Sequence, residues 1–162
     1  MYVDGHNGTS FTFTNCLLEN NTAKYYGGAL YLEHTFATIR ECRFINNTSS
    51  SGGFALYFVY KDHNVQKEAT LTITDCTFLK NVYTKTAKNG LLYIQTNTRF
   101  TIKFTVTGNY IDLTDTLSAF TFIYFQIPTQ LFSKFAFHDN KILPYESSKF
   151  ISNINGTLST TN

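Results

Sequence analysis

Three cysteines, four histidines and eleven acidic side chains are the groups in this sequence with the means to do chemistry. Cys16, Cys42 and Cys76 lie 26 and then 34 residues apart. Zinc sites pair Cys or His at short intervals such as Cys-x-x-Cys, so these three read as buried free thiols. Stacked neighbours would satisfy the distance for one disulfide, but three cysteines cannot all pair. His6, His34, His63 and His138 share no register. His138 with Asp139 reads as a solvated turn, not as a catalytic or metal pair. The acids are scattered: Glu41 and Asp75 recur at one corner, where the first copy has Asn15, and Asp112 with Asp115 forms a candidate cation pair within one insertion. Polysaccharide cleavage wants carboxylates clustered for acid–base work. The expectation is therefore no catalytic residue, no metal and no cofactor.

All of these groups sit inside a repeat, and the repeat is what must position them. The first copy reads Phe11-Thr-Phe13-Thr-Asn15-Cys16-Leu17-Leu18-Glu19-Asn20-Asn21, then Gly27-Gly28-Ala29-Leu30-Tyr31-Leu32. The second runs from Ile39 through Cys42, Phe44 and Asn47 to Gly52-Gly53-Phe54-Ala55-Leu56-Tyr57-Phe58, and the third from Leu71 through Ile73, Cys76, Phe78 and Asn81 to Gly90-Leu91-Leu92-Tyr93-Ile94. Self-similarity at this period marks a stacked repeat architecture.

Alternation within each copy has the period of a strand. It breaks between Phe13 and Cys16, Ile39 and Cys42, and Ile73 and Cys76, where a gap of three places inward residues on both sides of a corner. Asn20-Asn21 and Asn46-Asn47 mark a second corner, because Asn tolerates left-handed backbone. Glycine at 27–28, 52–53 and 90 opens a third strand. Three short strands per copy predict an all-β, right-handed parallel β-helix solenoid of about five rungs, pectate-lyase-like, the hand taken by analogy from the rule for parallel crossovers. Residues 1–152 form a single domain, with clear repeats over 11–94, degenerate ones over 100–151, and a polar tail over 153–162. Residues 60–69 and 110–116 are insertions, which solenoids accept in loops.

Aligning the later copies on an Asn five places after a core residue gives Phe104 to Asn109 and Phe135 to Asn140. That alignment predicts four ladders: Cys16, Cys42 and Cys76 extended by Phe104 and Phe135; Phe44, Phe78, Val106 and Phe137; Leu30, Leu56, Leu92 and Phe120; and amides at Asn21, Asn47, Asn81, Asn109 and Asn140. Phe120 to Phe122 is the expected third strand of copy four, and Phe150-Ile151, after a turn at Pro144, that of copy five. Tyr31, Tyr57 and Tyr93 alternate with inward residues, so they should point outward as an exposed, ligand-facing aromatic stripe.

Aromatic residues make up 17% and charged ones 15% of 162 residues, too apolar a balance for disorder and right for one sizeable domain. A net charge of +2 without a basic cluster excludes an electrostatic footprint for nucleic acid. No stretch is long and apolar enough for a transmembrane helix, and Met1 to Gly5 lacks the features of a signal peptide.

Two motifs alternate in fixed order: Phe-x-x-Asn (Phe44 to Asn47, Phe78 to Asn81, Phe137 to Asn140) and Gly-Gly-Ala-Leu (Gly27 to Leu30). Together they resemble the repeats of the polymorphic outer-membrane proteins, chlamydial autotransporter adhesins. The resemblance is close over roughly residues 11 to 94. Copy two departs from it by what reads as an inserted residue at Phe54, and copy three keeps only Asn89-Gly90. The resemblance implies a surface-exposed or extracellular β-helix, non-catalytic, with adhesive or structural duty. Its partners would be a host-cell surface protein or glycan, and flanking rungs of a larger protein of which this chain is a fragment. The alternatives are a polysaccharide lyase or hydrolase on the same pectin lyase fold, and a glycan-binding module using the Tyr stripe. Sequons at Asn7, Asn20, Asn46, Asn47 and Asn155 permit N-glycosylation on a eukaryotic secretory route.

Overall fold

A computed structural model of the chain describes residues 1–60, 68–83, 90–96, 102–114, 121–126, 132–143 and 149–152. Among them there is no helix. The chain opens with β1 (Tyr2–Thr14) and continues through β2 (Leu17–Glu19), β3 (Thr22–Ala23), β4 (Leu30–Arg40), β5 (Arg43–Ile45), β6 (Thr48–Ser49), β7 (Leu56–Tyr60), β8 (Ala69–Thr74), β9 (Thr77–Leu79), β10 (Val82–Tyr83) and β11 (Leu92–Thr96). The later copies supply β12 (Ile102–Thr107), β13 (Tyr110–Asp112), β14 (Thr121–Gln126), β15 (Phe132–His138), β16 (Lys141–Leu143) and β17 (Lys149–Ser152). The polar tail, Pro144, Phe120, Asp115 and most of the insertion after Tyr60 lie outside the described residues.

These strands pair in parallel into three sheets: a nine-stranded one in the order β15-β12-β8-β4-β7-β11-β14-β17 with β1 on β4, a five-stranded one of β16-β13-β9-β5-β2, and a three-stranded one of β10-β6-β3. Equivalent residues of successive copies face one another, the arrangement a parallel β-helix has. β4 shows how the large sheet is built. Its first half pairs with β7 and its second with β8, around a bend where His34 has φ 50°. The third strand of one copy thus runs on into the first strand of the next.

The corners fall where the parity breaks. Asn15, Glu41, Asp75 and Asp139 all take left-handed φ of 54° to 57°, and Gly108 takes 69°. Asn20, Asn46 and Lys80 do the same at the second corner, with φ of 52° to 57°. The Gly-Gly pair has two separate reasons. Gly27 has φ 68°, a conformation β-carbons resist, and a Cβ on Gly28 would stand 2.0 Å from the Phe54 carbonyl oxygen of the next copy.

Inward residues make one contiguous core. Leu18, Phe44, Phe78, Ile111 and Ile142 align through the five-stranded sheet. Phe44 and Phe78 stack at 4.9 Å with planes 9° apart. In the large sheet Phe13, Ile39, Ile73, Val106 and Phe137 align, as do Phe11, Ala37, Leu71, Phe104 and Phe135.

Five expectations need correction. Residues 110–112 are no insertion but β13, paired in register with β9. Val106 and Phe137 stack on Ile73, not on Phe44 and Phe78. Phe104 and Phe135 belong to the Leu71 row, while Asn109 follows Cys76, as the pairing of Thr107 with Thr74 and Tyr110 with Thr77 requires. The physical reason is that Asn serves at both corners, so aligning on Asn alone displaced copies four and five by five residues. Ile123, not Phe120, lies next to Leu92, and Ile151 follows it as expected for copy five. Finally, Phe54 is no insertion: Tyr26 pairs with Gly52 and Leu30 with Leu56, so Phe54 replaces Gly28 in register.

Phe78 is almost wholly buried at the middle of its ladder. Phe78→Ala is expected to cost about 3–5 kcal/mol in urea unfolding, from lost burial and the cavity it leaves. A loss under about 1 kcal/mol would show that the ring is not packed as described.

Candidate functional site

The tyrosine row follows from strand alternation. In β7, Leu56 and Phe58 enter the main core, whereas Tyr57 and Val59 join Tyr93 in a second, separate cluster on the opposite face. The expected three-ring stripe is a five-ring column. Tyr2, Tyr31, Tyr57, Tyr93 and Tyr124 are paired in register, with ring centroids 5.2, 4.7, 5.0 and 5.0 Å apart down the column. Tyr2 and Tyr124 were readable: Met1-Tyr2-Val3 and Ile123-Tyr124-Phe125 repeat the apolar-Tyr-apolar pattern of Leu30-Tyr31-Leu32.

Outward does not mean exposed here. Tyr57 and Tyr93 keep only 3% and 5% of their surface accessible. Tyr26, which precedes the Gly27-Gly28 pair and lies outside the repeated pattern, stacks on Tyr57 at 4.6 Å and meets the edge of Tyr93 at 5.6 Å. The expectation of an open stripe is thereby corrected for its two central rings. The hydroxyls are held by the residue two places beyond the next Tyr: Tyr2 donates to Glu33 Oε2 at 2.9 Å, Tyr57 to Gln95 Oε1 and Tyr93 to Gln126 Oε1. Burial pushes the phenols of Tyr31, Tyr57 and Tyr93 above their usual range, and the Glu33 hydrogen bond pushes that of Tyr2 up to about 12.

The cysteines are free and form a relay along the first corner. The Cys16 N–H points at Cys42 Sγ and the Cys42 N–H at Cys76 Sγ, each at 3.4 Å. The Cys76 N–H donates to Asn109 Oδ1 at 2.9 Å, and the Asn109 N–H to Asn140 Oδ1 at 3.0 Å. The thiols donate in turn to backbone carbonyls, Cys42 to Arg40 and Cys76 to Thr74, both at 3.2 Å. Asn109 Nδ2 does likewise to Thr107 at 3.0 Å and Asn140 Nδ2 to His138 at 2.9 Å. One position thus accepts either residue, because each offers a short acceptor that also donates. Burial raises the Cys42 thiol and pushes that of Cys76 up to about 12, which keeps both protonated and unreactive.

Asn21, Asn47 and Asn81 build the same relay at the second corner. The Asn21 and Asn47 N–H groups donate to the next Oδ1 at 3.1 and 3.0 Å, and Nδ2 of Asn47 and Asn81 reaches back to the Leu18 and Phe44 carbonyls at 2.8 Å. Of the sequon asparagines, Asn20 and Asn46 are exposed and Asn47 is fully buried; Asn155 and the side chain of Asn7 lie outside the description.

The remaining titratable groups do not converge. Glu41 holds the Arg40 guanidinium at 2.7 and 2.9 Å on the exposed first corner. His138 and Asp139 meet at 2.6 Å in the exposed turn of copy five, and His34 lies 3.4 Å from Asp4. Asp112 accepts from the Thr114 N–H and Oγ1 at 3.0 and 2.6 Å, closing its own turn. Its partner in the cation reading, Asp115, the insertion residue His63 and the side chain of His6 are outside the described residues. Among those described, no group of three His, Cys, Asp or Glu side chains is placed to hold a metal ion.

A family model described as the Chlamydia polymorphic membrane protein repeat matches residues 15–33. The match runs from the corner residue Asn15 through Cys16, Asn21 and Gly27 to Leu30 into the strand that carries Tyr31. No curated protein and no solved structure matches the chain. No helix among the described residues is long and apolar enough to cross a membrane.

Two predictions test these relays. Asn109→Ala leaves the buried Cys76 N–H without an acceptor and is expected to cost about 1–3 kcal/mol in urea unfolding, whereas Asn109→Cys, which restores the group used one copy earlier, loses clearly less. Equal losses would remove the relay reading. The raised thiols and phenols together set the alkaline limit. The unfolded chain releases tyrosine protons near pH 10, while the folded chain holds those of Tyr31, Tyr57 and Tyr93 to higher pH. Their stabilisation is complete below about pH 10 and falls as pH rises above it. The unfolded Cys42 and Cys76 thiols ionise from about pH 8.5, so urea midpoints measured from pH 7 to 11 should begin to fall there and fall more steeply above pH 10, and Tyr57→Phe should shallow the second part of the drop.

Proposed function

We propose that the chain is a right-handed parallel β-helix solenoid acting as a non-catalytic scaffold of a surface or secreted protein, in adhesion or as a spacer within a longer stack. The corner relay is the observation that carries this reading. The chain's most distinctive polar side chains, its Cys and Asn ladders, are consumed in joining one copy to the next. The matched repeat, that of a membrane-protein family, supports a surface setting.

The end formed by β1, β2 and β3 supports the longer stack. Phe11, Phe13, Cys16 and Leu18 pack on the core from one side only and stay partly exposed. Within the stack, each Cys Sγ or Asn Oδ1 accepts an N–H from the preceding copy; among the described residues none reaches Cys16 Sγ or Asn21 Oδ1. Tyr2 to Asp4 already occupies the third-strand position of a preceding layer. A layer stacked on this end would supply the other two strands.

A second copy of residues 9–29 fused directly ahead of Met1 puts Tyr2 in the register that Tyr31 has after residue 29. The added layer is expected to raise the melting midpoint by about 2 °C or more per kcal/mol gained, and a scrambled insert of the same composition to leave it unchanged. No rise, or an equal rise from both inserts, would sink the stacking reading. Beads coated with the chain separate the two duties: retention on a cell layer above that of beads bearing an unrelated protein is expected for adhesion, and equal retention for a spacer.

A further inference from the structure

The first copy departs from the repeat in one turn. Thr22 pairs with Thr48, Ala23 with Ser49, and Tyr26 with Gly52. Lys24, Tyr25 and Tyr26 therefore stand where the next copy has Ser50, Ser51 and Gly52. Three large side chains lie beside three of the smallest, and a hollow opens at the large ones. An open cavity of about 440 Å³ is lined by Ala23, Lys24, Tyr25, Tyr26 and Tyr31.

Its walls are preset. The Ser50 hydroxyl donates to the Lys24 carbonyl, the Ser51 N–H to the Tyr25 carbonyl at 2.9 Å, and the Gly27 N–H to the Gly52 carbonyl at 3.2 Å. Tyr26 and Tyr31 rest on Tyr57 at 4.6 and 4.7 Å, so their orientation is fixed from below. Tyr25 nevertheless stays 59% exposed, and its ring and the Lys24 ammonium lie 5.2 Å apart. Rings in wet positions on a pinned backbone can accept a ligand with little loss of conformational freedom.

We propose that this cavity binds a pyranose sugar carrying a carboxylate. Aromatic faces are electron-rich and take the weakly positive C–H face of a sugar ring, while the phenol hydroxyls meet its hydroxyls. Lys24 is the only charged residue in the lining and supplies the counter-charge for a carboxylate. The size and the mix of apolar walls with few polar groups suit a small organic ligand. Here the recognition element is the overhang of copy one together with the half-buried ring of Tyr31, and not the buried rings Tyr57 and Tyr93.

The test is an amide-resolved NMR titration of the whole chain with galacturonic acid and, separately, with neutral galactose. Shifts confined to residues 23–26 and 31 are expected, with galactose weaker by about fivefold for want of the Lys24 contact. Lys24→Gln should bring the two sugars level. Tyr25→Ala should lose binding of both by about fivefold or more at an unchanged melting midpoint, since its ring is largely solvated. Absence of shifts with galacturonic acid at roughly 50 mM, shifts centred elsewhere, equal binding of galactose by the native chain, or undiminished binding by Tyr25→Ala would each overturn the proposal. So would concentration-dependent shifts at these residues without sugar, which would place a second copy of the chain in the hollow. The fused-copy experiment reads the scaffold without any sugar, so either reading can fail alone.

Discussion

Turning a strand inside a stack of parallel copies creates a donor with nowhere to go. At each corner a residue with left-handed φ interrupts the backbone ladder, and the N–H that follows it faces the next copy where no backbone carbonyl meets it. A buried N–H left in that state costs about 1–3 kcal/mol. The chain answers with a side-chain acceptor from the next copy: Sγ or Oδ1 at the first corner of copies one to four, and Oδ1 at the second corner of copies one and two. Much else follows from this one need. All three cysteines fall at those positions, the copies are locked in register, and the apolar residues beside them, Phe44 and Phe78 among them, fall into columns. Both residues also donate to nearby carbonyls, so the relay settles the polar groups of a corner on both sides.

That requirement explains what could be read from the sequence and what could not. Strands, corners and the stacking of the first three copies were legible because the Cys-to-Asn interval is the same in each, and the left-handed corners fall where the inward parity breaks. The fourth and fifth copies were misaligned because the sequence shows only an Asn, and two corners ask for one. What distinguishes them is the preceding strand: Phe104-Thr-Val106-Thr before Gly108-Asn109 has the form of Leu71-Thr-Ile73-Thr before Asp75-Cys76. Weighting that strand over the amide gives the observed register. Cys and Asn are interchangeable only on physical grounds, as short side chains that accept and donate, and no hydropathy pattern displays that. The outward direction of Tyr57 and Tyr93 followed from alternation, but their burial did not. Alternation assigns a face, whereas cover depends on residues outside the repeat, such as Tyr26.

The same constraint separates structural from functional positions. Where equivalent side chains of neighbouring copies must satisfy one another, substitution is limited to residues that keep the relay or fill the column. Chemistry with another molecule is best placed where the copies do not need each other. Turns between corner and third strand are such places, since each copy contacts mainly its neighbours and a turn points away from both the core and the relay. Ser50, Ser51 and Gly52 show how little the fold asks of these positions; Lys24 and Tyr25 show what one copy does with that freedom. Ligand-directed groups in a stacked repeat of this kind should therefore be sought by subtracting each copy from the next, and the residues that remain are those the architecture has no use for.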